Sequence, residues 1–362
     1  MRGLRSAALC AILLLMLGGI AQAQDTTLVV KADSSSTEAV MAASQIQLQL
    51  IPRRAEERTG LEVFLGGDYE KFKANATALE DDFKSNTRGV GVLIDYGFSR
   101  TFQAGLGVRF GKLESDNAIP ILSGCAPGFR IVCNIRTSLT PTHLDVRLWT
   151  LNGYGVWNPV PALTVAGSVG YGKQNYKSTR DELILGGSTT PALFLHEHKA
   201  DYDGHTLTGS VGATYDIQID SLTLTPLAKI QSSRSRIDAY EESGEDVNVI
   251  MDSQEIKHLN TTVGLQVRYA ISTNVGVFVP QIGFTWVHEF EDDQRFVLVR
   301  FREVPIIRLI ATNPPDRDYF RISPTVVMQF PRGFSGFIGG EALIGYRDRK
   351  TYDVSAGIRY EF

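Results

Sequence analysis

The last eleven residues, Tyr352 to Phe362, alternate without interruption between apolar and hydrophilic side chains. Tyr352, Val354, Ala356, Ile358, Tyr360 and Phe362 fall on one face of an extended strand. Asp353, Ser355, Gly357, Arg359 and Glu361 fall on the other, because strand side chains alternate with period two. Chain ends ordinarily fray. A chain that finishes on its most regular apolar strand, with charge on the opposite face, suits a closed barrel in lipid, apolar outward and polar into the lumen.

Beyond the N-terminal leader, no stretch offers eighteen continuous apolar residues. If the chain enters a membrane it therefore does so as a barrel, since helices and closed barrels alone satisfy their own backbone in lipid. From Gly60 onward twelve amphipathic runs follow one another, and they predict twelve strands. In the second, Val90, Val92, Ile94, Tyr96 and Phe98 alternate with Gly89, Gly91, Leu93, Asp95 and Gly97; in the third, Phe102 to Phe110 alternate with Gln103 to Gly111. The fourth, Leu144 to Trp157, slips in parity around Asn152, which reads as a bulge. The links alternate in length. Short ones fall at Ser99-Arg100, Pro159-Val160, Asp220, Ser272-Thr273-Asn274 and Arg332-Gly333, and those after the odd-numbered strands are longer, except near Arg349. Short turns on one side and long loops on the other are the habit of outer-membrane barrels, and a soluble sandwich has no reason to share it. Aromatic residues gather near strand ends, among them Tyr96, Phe98, Trp157, Trp286, Phe290 and Tyr346, as girdles at two lipid interfaces would.

By parity Asp95, Arg109, Arg147, Lys229, Arg268, Arg321, Glu341, Arg347 and Arg359 project inward. A charge facing lipid at mid-membrane costs about 2–4 kcal/mol, so the barrel reading requires that placement. Such charges solvate a pore and pair with one another; the sharper alternative is a selectivity ring or a track for an extended chain.

Residues 1–23 read as a secretory signal: Arg2 and Arg5, an apolar core from Ala7 to Ile20, and Ala21-Gln22-Ala23 before the cut. Cys125 and Cys133, in a loop-like stretch with Pro127 and Gly128, then form an even pair that suggests a disulfide in an oxidising compartment. Residues 24–60 carry two conflicting signals. Ser35-x-x-Glu38 opens a possible helix through Ala39 to Ala43, whereas Gln45 to Leu50 alternate like a strand. Either a lumen plug or a periplasmic tail fits this segment, with the barrel occupying 61–362.

Net charge is −4 and lacks the basic surplus of nucleic-acid binders. No Gly-x-Ser-x-Gly elbow, His-Glu-x-x-His helix or phosphate loop is present, so no enzyme, metal or cofactor chemistry is expected. His196-Glu197-His198 reads as a loop without a third ligand, and Asp81-Asp82, a distant echo of an acid/His hydrolase, reads as solvated loop charge. Residues 294–312 are too apolar for an ordinary loop and predict a strand or hairpin beyond the membrane, folded over the pore or against a surface partner.

Several motifs together resemble the translocator barrel of type V autotransporters: Asp95-Tyr-Gly-Phe98, Ser221-Leu-Thr-Leu-Thr-Pro226, Glu241-Glu-Ser-Gly-Glu245, Leu265-Gln-Val-Arg-Tyr269, Val279 to Phe290 and Gly357-Ile-Arg-Tyr-Glu-Phe362. The resemblance covers about 60–362. It implies an all-β, twelve-stranded antiparallel barrel in the bacterial outer membrane, plugged by an upstream helix or segment, whose pore serves export of an attached polypeptide. Ile358, Tyr360 and Phe362 resemble the C-terminal signature through which such barrels meet their assembly machinery. Outer-membrane lipid and lipopolysaccharide are the other expected partners, with both termini in the periplasm. About 37 residues stand between leader and barrel, and none reads as a passenger. A small-solute porin and a surface adhesin remain alternatives.

Overall fold

The computed structural model describes residues 27–31, 60–118, 134–186, 192–244, 248–302 and 307–362. Twelve strands make the body: β1 (Leu61–Ala74), β2 (Phe83–Gly97), β3 (Phe102–Asp116), β4 (His143–Val160), β5 (Leu163–Gly186) and β6 (Ala192–Tyr215) come first. They are followed by β7 (Leu222–Ile237), β8 (Gln254–Tyr269), β9 (Val277–Glu289), β10 (Asp318–Gln329), β11 (Phe334–Ile344) and β12 (Arg349–Glu361). Each pairs antiparallel with its successor, and β12 pairs with β1 from Glu62↔Glu361 to Ala74↔Arg349, so the sheet closes on itself. Closure removes the unpaired edges that an open sheet would leave in lipid.

The pleat sends one residue set outward. Val90, Val92, Ile94, Leu106, Phe110, Leu151, Val169, Val211, Ile230, Phe284 and Val354 all stand exposed on the outer face. Aromatics border this band: Tyr96, Phe98 and Phe102 touch at the short-turn end, and Trp149 meets Tyr171 with ring centroids 5.9 Å apart at the other. The tight turns use the few left-handed residues available. Asp220 (φ 52°) turns β6 into β7, and Arg332 and Gly333 (φ 66° and 76°) turn β10 into β11.

The strands run further at the long-loop end than the alternation alone predicts. His196-Glu197-His198 lies within β6 and not in a loop, and only residues 187–191 separate β5 from β6. Beyond the lipid band the pattern inverts. Phe72, Phe83, Leu113, Leu144, Val146, Leu148, Tyr176, Ile237 and Ile256 point inward and pack as one buried cluster, while Lys, Arg and Asp face out. This inversion is the parity slip seen in β4. Its register against β3 is continuous from His143 to Trp157, and the irregularity against β5 lies between Trp157 and Val160, away from Asn152.

Two small sheets sit at the long-loop end. Strands 240–241, 249–251, 296–301 and 307–311 form one, so the apolar stretch 294–312 is indeed a hairpin. Residues 27–31 pair in parallel with 134–138 to form the other. No helix occurs among the described residues, and the possible helix over Ala39–Ala43 lies outside them, as do Cys125 and Cys133.

Candidate functional site

The lumen wall is built from the inner parity of all twelve strands. At the short-turn end Arg359 reaches Glu361 (3.2 Å), the buried Glu62 (3.5 Å) and the Ser335 hydroxyl (3.1 Å). One level in, the Tyr154 hydroxyl donates to Asp95 at 2.7 Å, beside an apolar inner patch of Leu93, Val156 and Phe64. The inner face is therefore not uniformly polar.

Mid-barrel, Arg109 donates from Nε to Asp68 Oδ1 at 2.9 Å and from Nη2 to Oδ2 at 2.5 Å. It lies flat against the wall because residue 89 is glycine: a Cβ there would stand 2.3 Å from Arg109 Nη2. Arg268 pairs with Asp216 (2.5 Å), Lys229 donates to Gln231 (2.9 Å), and Arg321 faces Glu341 (3.6 Å), which also accepts from Ser323 (3.1 Å). Charges of both signs thus meet along the wall: Arg109–Asp68 and Arg268–Asp216 each reach across an intervening strand, and Arg321–Glu341 joins two neighbours, as charge-assisted pairing in a polar lumen favours.

Two residues expected in the lumen lie elsewhere. Arg347 stands in the β11–β12 turn, after β11 has ended at Ile344 and Gly345 has turned left-handed (φ 81°), and its exposed side chain holds Asp316 at 2.7 Å. Arg147 faces outward on β4, above the lipid band, because the inner parity there belongs to Leu144, Val146 and Leu148. Conversely, Glu62, Asp68, Glu70 and Arg349 also line the interior. The first three share the inner parity of β1, a signal the sequence carries. Arg349 stacks over Phe72 and Tyr346 at 5.6 and 4.6 Å.

The small sheets are tied to the rim at distant points on its circumference. On the β5–β6 side, Arg180 grips Glu242, and Tyr176, Tyr202 and Tyr240 stack at centroid distances of 4.7 and 4.0 Å. On the β1–β2 and β11–β12 side, the Asn313 amide donates to Glu80 (2.9 Å) and Arg347 holds Asp316. A structure held at both sides lies across the opening. Val249, Met251, Val297, Val299, Phe301, Ile310 and Leu139 form its own buried core. Lys31 closes the arrangement: its ammonium donates to the carbonyls of Thr77 (2.9 Å) and Glu80 (3.3 Å) and to Asp81 (3.0 Å). Gly60 lies at the opposite mouth, its carbonyl accepting from the Gly97 amide at 3.0 Å.

Of the weaker candidates, His196 and His198 point inward, and His198 Nδ1 contacts Asn248 Oδ1 at 3.3 Å. Asp81 is occupied by Lys31, and Asp82 lies 3.7 Å from Lys84.

An apolar outer belt, a charged lumen and full closure define an antiparallel transmembrane barrel of the bacterial outer-membrane type. Residues 63–341 match the family model described as Autotransporter beta-domain, and the chain belongs to that family. The family is one of transport domains and not of enzymes. Among solved structures, the chain is similar to the translocator domain of the autotransporter NalP from Neisseria meningitidis (TM-score 0.64, 14% identity, 91% of this chain and 98% of that one). It is also similar to the beta domain of the Bordetella autotransporter BrkA (0.52, 12% identity, 84% and 100%). The transport unit of the autotransporter AIDA-I from Escherichia coli is a third (0.50, 14% identity, 91% and 98%). Comparison with curated proteins found no match.

Proposed function

We propose that this barrel is a conduit threaded by its own upstream segment, with the short turns and the C-terminus in the periplasm and the covered mouth at the cell surface. One observation carries the reading: Lys31 and Gly60 are held at opposite mouths of the barrel, at the two ends of β1. The outside of the wall is apolar and belongs to lipid, so the connection between these residues has one polar route, the lumen. The 28 intervening residues suffice. Strand β1 rises about 3.3 Å per residue and tilts by about 40°, so its 14 residues span roughly 35 Å. Even at about 1.5 Å per residue, 28 residues would cover about 42 Å. In this reading Leu61 and Phe362 face the periplasm, and the strand at 27–31 lies at the opposite mouth.

Ile358, Tyr360 and Phe362, aligned outward at the short-turn end, support recognition by the barrel-assembly machinery through β12. Planar-bilayer conductance tests the threading. The purified protein should be nearly silent, and deletion of residues 24–59 should produce steady openings. Steady conductance of the intact chain would favour a small-solute porin. A second reading, attachment through the surface hairpin, draws on Phe296, Leu298, Ile307 and Leu309, which stand exposed on its outward face. Excision of 296–311 should then abolish binding to surfaces while β1–β12 remain folded.

A further inference from the structure

The outer wall is electrically asymmetric. On β1 to β5 the first outward side chain past the apolar band at the long-loop end is a cation: Lys71, Arg88, Lys112, Arg147 and Lys173. At the short-turn end the corresponding outward residues are Leu61, Phe98, Phe102 and Trp157, none of them charged. Most cations of this girdle have a carboxylate at hand. Arg88 and Lys112 share Glu114, Lys112 also meets Asp145 (2.7 Å), and Lys173 meets Asp203 (3.2 Å).

The seam where β12 closes on β1 differs. Lys73 stands in register with Lys350 on one side and Lys84 on the other, and Lys71 lies one outward step nearer the lipid band. All four are exposed. Among the described residues Lys71, Lys73 and Lys350 make no ion pair, and Lys84 has only Asp82 at 3.7 Å. Like charges directly opposite one another weaken a sheet. Neighbouring strands lie about 4.8 Å apart, so three ammonium groups crowd into about 10 Å at the barrel's closing joint. An external polyanion would offset that repulsion with charge-assisted contacts. Directly beneath it run Tyr69, Tyr352 and Val354, an apolar surface for acyl chains, with the Tyr69 hydroxyl donating to Asn86 at 2.9 Å.

We infer that Lys71, Lys73, Lys84 and Lys350 form a binding site for a lipid headgroup bearing two or more phosphates, seated in the leaflet at the long-loop end. Lysine suits the task as a mobile point charge for phosphate. The spread over three strands matches more than one phosphate, and the apolar floor selects an amphiphile over a free anion. Placing that leaflet at the cell surface rests on the orientation proposed above.

The test is titration of the purified full chain, in uncharged detergent, with bisphosphorylated lipid A followed by native mass spectrometry. A stable adduct is expected, at least tenfold weaker after combined Lys71→Gln, Lys73→Gln and Lys350→Gln, and retained within threefold when the same positions are changed to Arg. Heat-modifiable electrophoretic mobility verifies that each variant is folded. Enzymatically dephosphorylated lipid A should bind the unmodified chain at least tenfold less tightly. Unchanged binding by the glutamine variant, or equal binding of singly charged phosphatidylglycerol, would overturn the site. The orientation is read separately, from an impermeant maleimide applied to intact cells carrying Asn75→Cys. Labelling only after permeabilisation would remove the surface leaflet while leaving the lipid titration to stand by itself.

Discussion

Arg180 of β5 lies against Glu242 with two hydrogen bonds, Nε to Oε1 at 2.8 Å and Nη2 to Oε2 at 2.6 Å, and both side chains are almost wholly buried. The Val249 amide donates to the same carboxylate at 3.1 Å, so one glutamate joins the barrel wall to the sheet across its mouth. Replacing Glu242 with Ala removes both of these hydrogen bonds from a buried guanidinium, a change that costs about 3–5 kcal/mol. The expected outcome is local. Hydrogen exchange of 249–251 and 296–301 should accelerate by orders of magnitude, while β9 to β12 keep their protection.

Gly89 is the space into which Arg109 lies. Gly89→Val should push the guanidinium off Asp68 and destabilise the folded barrel by about 1–3 kcal/mol, the usual range for overpacking. Gly153→Ala is the control, since a Cβ there meets nothing nearer than 3.4 Å. Urea titration followed by heat-modifiable mobility separates the two, with Gly153→Ala expected to be indistinguishable from the parent.

Leu106 stands on the outer face at mid-band, in register with Ile94 and 64% exposed in the bare chain. Leu106→Arg should cost about 2–4 kcal/mol in equilibrium unfolding from lipid vesicles. Ser168→Lys, on the inner face opposite Ser210, should cost far less, because water reaches that side. A reversed order would mean that inside and outside have been exchanged.

In the loop between β9 and β10, Arg317 clamps Asp292 through two hydrogen bonds of 2.8 and 3.0 Å. Hydrogen bonding to Arg317 holds the Asp292 carboxyl below its ordinary range. A depressed carboxylate contributes above its unfolded pKa and loses that contribution as pH falls through the folded value. The clamp should therefore persist through the ordinary aspartate range and release only as pH falls below it. In an NMR titration, Arg317→Gln should move the Asp292 midpoint upward, with little change in global stability because the pair is on the surface.

Much of this molecule can be read from its chain because lipid imposes the same local rule on every strand. The alternation from Val90 to Phe98, or from Tyr352 to Phe362, names the outward residues without reference to any neighbour. The apolar run at 294–312 likewise announces a hairpin. The errors cluster where the rule stops applying. Arg147 escapes the rule because, above the band, the interior is the greasy side and the exterior the wet one, so parity set by apolarity flips along one unbroken strand. Arg347 escapes it because β11 ends before it, at Ile344, and the left-handed turn at Gly345 that follows leaves no mark in the alternation.

By itself, then, the sequence determined the closed twelve-stranded wall, its lipid-facing surface and its family, since period-two patterning is a contest between lipid and water settled residue by residue. Only the tertiary structure decided which lumen charges meet, that Glu242 ties the mouth to the wall, that Lys31 and Gly60 sit at opposite openings, and that three lysines crowd the closing seam. Those facts depend on cross-strand register and on partners far apart in the chain, and no local pattern encodes either.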